Sequence, residues 1–531
     1  MSDRRDLRAS RPETTTAPYP GAGVATRYAT VVGNDWTGLH VPDHSQPTEL
    51  PISVIIPTRD EPRLRWCIAA LVEQHHPSDL LEIIIVDDGS VAPVSRADLP
   101  VFTGTLRIVR LEPSEGFGAG RARAAGADAA TGDCLIFLDG DTVPGPAFLA
   151  CHARWHAACD HAVVLGQVRM VEDDGPPGLF VDGTTRWQAV AWVGRTLDQT
   201  AGLRHDGEPV GRVVAGANLS IRAAFYRHVG GFRSLGLRGI EDTEFGYRTY
   251  TCGAVHIPDP DAFCWHPDER HFDDAARGQE AKERRSQLLD DHVVRRKRTR
   301  RRIASVPTAT IDLVIEAHDT HDTVVQAIDD WLEETNGDAV IRLHGLEHLP
   351  ERARAIVHEG VEHDPRIVDD PTAEVGGRFS RITVRTSPAY GEEARERYGR
   401  VQELTSPGVM VTVDPHAHLV AVAASTRALN RARYVLRSAE QPRFEAVASD
   451  EEIDLAGRLF PSHWVATERS EGEKLGRAPD AEPRQAAVTL DEDQRRATPQ
   501  SRQRAAHGST RASAPHRLRA ASWPRPAPKL A

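Results

Sequence analysis

Residues 52–90 read ISVIIPTRDEPRLRWCIAALVEQHHPSDLLEIIIVDDGS, and this stretch decides the fold. Residues 52–56 and 82–86 are apolar runs of strand length. Between them an apolar residue recurs with the spacing of one helical face, at Leu64, Cys67, Ile68, Leu71 and Val72. We expect Asp60 to cap this helix. A strand, a helix and a second strand in this order predict a parallel β-α-β unit.

The same alternation continues to about residue 290. Residues 106–111 and 134–138 are two further strand candidates, and residues 118–130 form a helix of small residues between them. Strands that are almost continuously apolar and separated by helices predict an α/β fold, with a parallel sheet covered by helices on both faces. Ligands of such sheets bind beyond the carboxyl ends of the strands.

The chain has 531 residues, which favours two folded units. We expect a disordered segment at 1–48, a first domain at 49–294, a basic linker at 295–307, a second α/β domain at 308–467 and a disordered basic tail at 468–531. The net charge of −12 argues against a nucleic-acid partner for the surface as a whole. The six cysteines form no CxxC pair, and no apolar run has the length of a membrane span, so we expect a cytoplasmic protein.

Two acids directly follow the apolar run at 134–138, namely Asp139 and Asp141. In an extended chain the side chains at i and i+2 point the same way, so both carboxylates can face one point. Oxygen ligands of this kind suit Mg²⁺ or Mn²⁺. A solvated acidic turn is the alternative, and the position at the end of a strand favours the metal.

Three other segments carry candidate chemistry, each with a plainer alternative. Asp87 and Asp88 end the second strand and could accept hydrogen bonds from a nucleoside, or simply form a turn. Glu241 and Asp242 could supply a general base, or cap a helix N-terminus. His266 could complete a metal site as a neutral imidazole, or pack as an ordinary surface residue.

In sequence order, these segments resemble family-2 glycosyltransferases over about residues 50–270. The motifs that carry the resemblance are VIIPT at 54–58, IVDDGS at 85–90, the helix at 118–126 with Arg123, and ATGD at 130–133 followed by FLDGD at 137–141. GAN at 216–218, GGF at 230–232 and EDTE at 241–244 resemble the segments on the acceptor side of that family.

The resemblance implies a nucleotide-sugar-binding sheet of the GT-A type and an inverting transfer that depends on Mn²⁺ or Mg²⁺. Asp242 would be the catalytic base, and Asp139, Asp141 and His266 would hold the metal, Asp139 also contacting the ribose. The nucleotide sugar, UDP-linked in our reading, would be bound by Pro57, Thr58, Arg59, Glu61, Asp87, Asp88 and Arg123.

The sequence also departs from the family pattern. Arg59-Asp60 replaces a common Tyr-Asn, and no QxxRW-like motif follows Asp242, which favours single additions over polymer synthesis. The acceptor is left open: a glycan, a lipid-linked molecule or a small molecule. The alternatives are a non-catalytic scaffold with the same fold and a nucleotidyltransferase, although the latter would show a Gly-rich basic loop after the first strand.

The second block resembles a degenerate copy of the first, although an unrelated α/β domain is equally open. Residues 313–319 resemble 54–60, a helical pattern follows both, and residues 340–345 match the second strand. We match residues 411–414 to 137–139; no second acid follows there, so we expect acceptor binding or homo-oligomer formation rather than catalysis. The basic run at 295–302 is an interdomain linker or a contact with the inner face of a membrane.

Overall fold

The structure is a computed structural model. It describes residues 31–45, 48–113, 117–171, 187–207, 209–235, 240–267, 292–293, 311–317, 320–335, 339–361, 364, 366–368, 382–386, 394–396, 398–399, 401, 409–414, 417–436, 450–460 and 464–468. The basic run at 295–302 and the tail from residue 469 lie outside these residues, so the predictions made for them stay predictions.

The first domain is built on one mixed β-sheet. Its strands are β1 (Ile52–Thr58), β2 (Leu81–Asp87), β3 (Thr105–Arg110), β4 (Cys134–Leu138), β5 (Val143–Pro144), β6 (Ala162–Val171), β7 (Trp187–Ala189), β8 (Asn218–Arg222) and β9 (Val255–Pro267). Their order is β3-β2-β1-β4-β8-β6-β9-β5, with β7 paired to β6. The first four are mutually parallel, as predicted, but β8 runs antiparallel to both β4 and β6. Apolar content alone does not encode strand direction, so the antiparallel direction of β8 could not be predicted from the sequence.

Helices cover both faces of this sheet, which confirms the predicted α/β fold. They are α1 (Leu64–Val72), α2 (Ala119–Ala129), α3 (Phe148–His156), α4 (Ala191–Gln199), α5 (Pro209–Arg212), α6 (Ala223–Val229) and α7 (Glu241–Thr251). Successive side chains of β1 point to opposite faces. Val54 and Ile56 therefore join the core beneath α1 and α3, while Ile55 joins the core that includes Phe225 of α6 and Phe245 of α7.

The prediction that Asp60 caps helix α1 is wrong. Helix α1 begins at Leu64, and its N-cap residue Arg63 makes no side-chain capping bond. Asp60 instead adopts a left-handed backbone with φ of 50°, and its Oδ1 accepts the amide of Val91 at 2.7 Å. Asp60 thus ties the loop after β1 to the loop after β2.

The segment before Leu50 is ordered over 31–45, where the sequence suggested disorder. Asn34 is fully buried and donates to the carbonyls of Leu203 and His256. Its Oδ1 accepts the amide of His256 at 3.0 Å. The composition of the segment is that of a loop, but its hydrogen bonds to the sheet fix its conformation.

A second sheet confirms the predicted second α/β domain. Its strands are β10 (Ile311–Glu316), β11 (Ala339–His344), β12 (Ile367–Val368), β13 (Ile382–Thr386), β14 (Val409–Asp414), β15 (Ala417–Ser425) and β16 (Trp464–Glu468). Their order is β12-β11-β10-β13-β15-β14-β16. The helices of this domain are α8 (His321–Glu334), α9 (Glu351–Val361), α10 (Thr426–Leu436) and α11 (Asp450–Leu459).

The two sheets share one strand order and one pattern of directions. If the short strands β5 and β7 are set aside, both read third, second, first, fourth, sixth, fifth and seventh along the described chain. The first four strands of each are parallel, and the sixth is antiparallel to its two neighbours. A helix follows the sixth strand directly in both cases, α6 in one and α10 in the other. This shared topology supports the hypothesis of a second copy.

One part of that hypothesis is wrong. Residues 411–414 belong to β14, whose counterpart in the first sheet is β6, whereas the counterpart of β4 is β13. The error arose because residues 411–414 resemble an apolar strand that ends in an acid, and sequence similarity of that length does not fix a place in the sheet. The sequence after β13 reads SPA at 387–389 in place of DGD at 139–141.

Strand register also gives the counterparts of Asp87 and Asp88. Ile52 lies opposite Leu81, and Ile311 lies opposite Ala339. Counting forward equally from both pairs places Gly345 and Leu346 where the first sheet has its two acids. Leu346 is buried in the core of the second domain.

None of the helices that the structure describes combines the length and apolar character required to cross a bilayer.

Candidate active site

The carboxyl ends of β1, β2 and β4 meet at one edge of the first sheet, because β1 lies between the other two. The amide of Asp88 donates to the carbonyl of Thr58 at 2.9 Å, which joins the ends of β1 and β2. A Cβ at Gly140 would lie 3.2 Å from both Pro57 O and Thr58 Oγ1. The turn after β4 therefore packs closely on the end of β1.

Three predicted metal ligands are brought together beside this edge. Asp139 and Asp141 follow β4, and His266 lies on β9, which pairs with β5 just after the two acids. One ligand atom from each of Asp139, Asp141 and His266 lies within 4.8 Å of the others. The closest distance recorded between Asp141 and His266 is 3.6 Å, from Oδ1 to Nε2. Residues more than a hundred positions apart in sequence thus converge as predicted.

The environment of Asp141 suits a cation. Its Oδ1 is buried and accepts no hydrogen bond. Burial raises the pKa of Asp141, and Asp139 and Glu61 raise it further, while His266 opposes the shift. A buried carboxylate oxygen without a donor is costly unless a positive group satisfies it. Two carboxylates and an imidazole form a donor set that Mn²⁺ or Mg²⁺ accepts.

Arg123 of α2 joins the turn after β4 to the N-terminus of α7. Its Nη2 donates to Asp139 Oδ1 at 2.8 Å, and its Nη1 donates to Glu241 Oε1 at 2.9 Å. The guanidinium is buried, which alone would lower its pKa, but Asp139 and Glu241 raise the pKa above its ordinary value. Arg123 therefore stays charged and fixes both carboxylates.

The two acids at the start of α7, Glu241 and Asp242, lie in different environments. Glu241 is buried, and besides Arg123 its carboxylate accepts the amide of Ile240. Asp242 is only half-buried, and its Oδ1 accepts the amide of Thr243 at 2.7 Å. The sequence singled out Asp242 and missed the bridging role of Glu241. No sequence signal separates two adjacent acids, because their difference depends on where Arg123 lies.

One carboxylate oxygen of Asp88 accepts no hydrogen bond from the protein. Its Oδ2 accepts the amide of Gly118 at 2.8 Å, and Arg121 lies 3.7 Å from Oδ1. That Oδ1 is nevertheless buried without a hydrogen bond. Burial raises the pKa of Asp88 from its ordinary value, against the opposing effects of the Gly118 amide and Arg121. Oδ1 is thus an acceptor that no protein group satisfies with a hydrogen bond.

Asp87 is a structural residue in this geometry. Its carboxylate accepts the amides of Ser90 at 2.8 Å and Val94 at 3.1 Å, and it pairs with Arg110. Burial opposes ionisation, but these hydrogen bonds outweigh it and lower the pKa of Asp87. The side chain shapes the loop that carries Asp88, so the structure does not bring Asp87 to the ligand edge as a direct contact.

The other predicted nucleotide contacts lie around the end of β1. Thr58 is buried and its Oγ1 has no hydrogen-bond partner. Glu61 pairs with Arg63 at 2.8 Å. Arg59 is exposed and stacks on Phe117, with its guanidinium carbon 3.5 Å from the ring centroid. The sequence did not identify Phe117, which lies beside the Gly118 that contacts Asp88.

A buried network of hydrogen bonds joins helix α3 to strand β8, next to the end of β4. Asn218 Oδ1 on β8 accepts a hydrogen bond from His152 Nε2 at 2.8 Å, so this ring nitrogen carries the proton. His152 and His156 of α3 both contact Ser220 Oγ, at 2.8 and 2.7 Å. Burial lowers the pKa of His152 to about 4, so the ring is neutral. The i, i+4 spacing of the two histidines was a signal for one shared helix face that the sequence reading did not use.

Residues 53–209 match the model of glycosyl transferase family 2. The match confirms, over this part of the chain, the predicted resemblance to family-2 glycosyltransferases. The match spans 157 residues and ends before α7, so the acids of that helix lie outside it.

Curated relatives are similar over a limited part of their length. Polypeptide N-acetylgalactosaminyltransferase 15 of Homo sapiens is 28% identical over 229 residues, which cover 40% of this chain and 34% of that protein. Pre-mycofactocin glycosyltransferase of Mycobacterium tuberculosis is 28% identical over 241 residues, or 44% of this chain and 46% of that protein. The chain therefore spans between a third and a half of the length of these two relatives.

Among solved structures, the chain is similar to the mannosyltransferase PcManGT from Pyrobaculum calidifontis in complex with GDP-Man and Mn²⁺. The sequences are 20% identical, the TM-score is 0.33, and the similarity covers 48% of this chain and 66% of that one.

Proposed function

We propose that this protein is a glycosyltransferase that moves a sugar from a nucleotide sugar, UDP-linked, to an acceptor hydroxyl. The transfer inverts the anomeric centre, depends on Mn²⁺ or Mg²⁺ and adds one sugar at a time. The observation that carries the proposal is the convergence of Asp139, Asp141 and His266 within 4.8 Å, at the edge where Oδ1 of Asp88 accepts no hydrogen bond.

The nucleotide sugar would contact this edge of the sheet through its nucleoside and through its diphosphate. Asp88 Oδ1 accepts a hydrogen bond from the base, and Thr58 Oγ1 is a second unused group nearby on the adjoining strand end. Arg59 and Glu61 flank the nucleoside. A metal ion held by Asp139, Asp141 and His266 would stabilise the negative charge that develops on the diphosphate.

Asp242 is the proposed base, because the family resemblance places the base at this position and its side chain is only half-buried, whereas Glu241 is buried against Arg123. Asp242 takes the proton of the acceptor hydroxyl as its oxygen bonds to the anomeric carbon. The bond from that carbon to the diphosphate oxygen breaks, and the nucleoside diphosphate leaves with the electron pair. Attack from the opposite side of the sugar inverts the anomeric centre.

The acceptor class and the cellular location are proposals that rest on the sequence. A glycan, a lipid-linked molecule or a small molecule each offers the required hydroxyl. All six cysteines are free and buried, which suits the proposed cytoplasmic location. Contact of residues 295–302 with a membrane and assembly into a homo-oligomer remain proposals from the sequence.

The experiment measures hydrolysis of UDP-glucose, UDP-N-acetylglucosamine, UDP-galactose and GDP-mannose with Mn²⁺, with Mg²⁺ and with EDTA. We expect release of nucleoside diphosphate from a UDP-linked donor only when a metal is present. Asp141→Asn should remove the activity and the rise in melting temperature that Mn²⁺ gives the wild type. Asp198→Asn, which changes an exposed acid on α4, is the matched control and should behave as wild type.

Two results would contradict the proposal. A wild type that neither binds nor hydrolyses any of these donors would favour the non-catalytic scaffold. Equal hydrolysis with EDTA and with Mn²⁺ would refute the role given to Asp139, Asp141 and His266.

A further inference from the structure

The C-terminal end of α7 is held by side chains from the second domain. Arg427 of α10 donates from Nη1 to the carbonyl of Tyr250 at 2.7 Å. Asn430, one turn later, donates to the carbonyl of Thr251 at 3.0 Å. Both carbonyls belong to the last turn of α7, where the regular i to i+4 hydrogen bonds of a helix end. The carbonyl of Tyr250 also accepts the amide of Gly253 at 3.0 Å. Helix α10 therefore adds side-chain donors to the backbone hydrogen bonds that already close the end of α7.

Arg431 extends this contact beyond the end of α7. Its Nε donates to the carbonyl of Gly253 at 2.6 Å, and its Nη2 donates to that of Ala254 at 2.9 Å. Its Nη1 also donates to the carbonyls of Val31 and Gly33 in the N-terminal segment. One buried side chain thus joins the first domain, the second domain and the segment before β1. We call Arg427, Asn430 and Arg431 the α10 clamp.

The backbone at Gly253 lies very close to the backbone of Arg431. Gly253 has a left-handed φ of +87°, and a Cβ there would lie 2.5 Å from the Cβ of Arg431 and 2.7 Å from its Cα. Only glycine accepts both the conformation and the distance without strain. The contact therefore depends on residues from both domains.

The charges of the clamp also match their surroundings. Arg427 pairs with Asp206 at 3.0 Å, and both side chains are almost fully buried. Arg431 is surrounded by carbonyl oxygens, and burial together with Arg427 lowers its pKa to about 9, which leaves it charged at neutral pH. Positive groups at a helix C-terminus interact favourably with the helix dipole.

The opposite end of α7 begins with Glu241 and Asp242. The helix has 11 residues and is about 16 Å long, so its two ends form one rigid unit. We propose that the α10 clamp is a positioning device that fixes α7, and through it the carboxylates of Glu241 and Asp242, against Arg123. This inference rests on the proposed function, and it gives the second domain a role in the reaction without a catalytic residue of its own.

The test compares hydrogen exchange and kinetics in the full chain. Asn430→Ala removes the hydrogen bond to the carbonyl of Thr251, and Arg431→Met removes the hydrogen bonds to Gly253 and Ala254 while keeping much of the side-chain volume. Trp331→Phe is the matched control, because Trp331 is buried in the core of the second domain and has no place in the clamp. We expect exchange of the amides in residues 245–251 to rise roughly tenfold in both clamp variants, while helix α2 keeps its protection.

The kinetic readout is hydrolysis of UDP-glucose with Mn²⁺, combined with calorimetric titration of UDP and Mn²⁺. We expect kcat to fall roughly tenfold in the clamp variants, with KM and the Kd of UDP within about twofold of wild type, since the donor-binding edge is not altered. A change confined to the core of the second domain, as in Trp331→Phe, should not lower kcat in this way while KM stays the same.

Unchanged exchange in residues 245–251 of both clamp variants would overturn the proposal, as would an equal rise in Trp331→Phe. Faster exchange with an unchanged kcat would also overturn it, because α7 would then not need to be held. If the wild type hydrolyses no donor, the proposed function fails, and the exchange data alone still decide whether the clamp orders α7.

Discussion

The guanidinium of Arg123 lies directly against Gly216. A Cβ at position 216 would come within 2.3 Å of Arg123 Cζ and within 2.6 Å of both terminal nitrogens. These are the nitrogens that hold Asp139 and Glu241. Because Gly216 has no side chain, the guanidinium of Arg123 fits against its backbone. In this position Arg123 joins the turn after β4 to α7.

Gly216→Ala should damage activity more than stability. The added methyl must displace a guanidinium that two carboxylates hold in place, so Asp139 and Glu241 lose their common partner. We expect a stability cost of about 1–3 kcal/mol for the overpacking and a loss of donor hydrolysis of roughly tenfold to a hundredfold. Denaturant unfolding and steady-state kinetics measure the two effects.

The control for this substitution is Gly194→Ala in helix α4, where an added Cβ meets no atom within 4 Å. It should leave hydrolysis unchanged and slightly favour the helix. Full activity in Gly216→Ala would show that the site does not depend on the position of Arg123.

Asp88→Asn should stabilise the free protein and weaken nucleotide binding. The pKa of Asp88 is raised by burial, so its ionisation opposes folding. This penalty is fully present above the raised pKa of the folded state and disappears as the pH falls below the ordinary pKa of the unfolded chain. The melting temperature of Asp88→Asn should therefore exceed that of wild type at pH 7.5, and the two should converge in acid.

The same variant should bind UDP roughly tenfold more weakly, because the amide replaces a charged acceptor of a hydrogen bond. Calorimetry with UDP and Mn²⁺ measures the change. The opposite pattern, lower stability with unchanged UDP affinity, would make Asp88 a structural residue like Asp87.

The sequence was sufficient to predict the strands that carry the site and the residues that meet there. Apolar periodicity located β1, β2 and β4, and the acids that follow these strands converge because parallel neighbours end at one edge. His266 was a candidate ligand by residue type alone, and the family resemblance linked it to Asp139 and Asp141. Its approach depends on the pairing of β9 with β5, which leaves no local pattern in the sequence.

What the sequence could not predict depends on long-range packing. Asp60 looked like a helix cap, but the left-handed turn directs its carboxylate to Val91. Residues 31–45 looked disordered because their hydrogen-bond partners, such as Leu203 and His256, lie far away in the chain. Asp87 and Asp88 are adjacent in sequence, and Asp87 becomes structural because Ser90, Val94 and Arg110 all donate to its carboxylate.

Phe117→Ala should weaken nucleotide binding by a modest factor. Phe117 carries Arg59 on its face at 3.5 Å, which holds the arginine beside the end of β1. An exposed cation–π contact contributes about 0.5–1 kcal/mol, so the Kd of UDP should rise roughly twofold to fivefold. Val101→Ala, at a residue that is 85% exposed, is the control and should have no effect.

Phe117→Leu separates the contribution of the ring from that of simple apolar cover. If the interaction of Arg59 with the aromatic face matters, the leucine variant should bind UDP as weakly as the alanine variant. Wild-type affinity in both variants would remove Arg59 and Phe117 from the nucleotide pocket.

The chain should bind one nucleotide, although it contains two sheets of the same topology. The positions that correspond to Asp87 and Asp88 are Gly345 and Leu346, and Leu346 is buried among the core residues of the second domain. A buried leucine occupies the space where the first sheet presents a carboxylate, and it offers no hydrogen bond to a base. Calorimetry with UDP and Mn²⁺ should therefore give a stoichiometry close to one.

Asp139→Ala should abolish this binding completely, since no second site remains to produce residual heat. Leu346→Ala should cost about 2–5 kcal/mol of stability, as expected for a buried leucine, while the stoichiometry and affinity for UDP stay the same. A stoichiometry of two, or residual UDP binding in Asp139→Ala, would mean that the second sheet has kept a nucleotide site in spite of Leu346. The shared strand order would then reflect a shared function, and the second domain would require a role beyond holding α7.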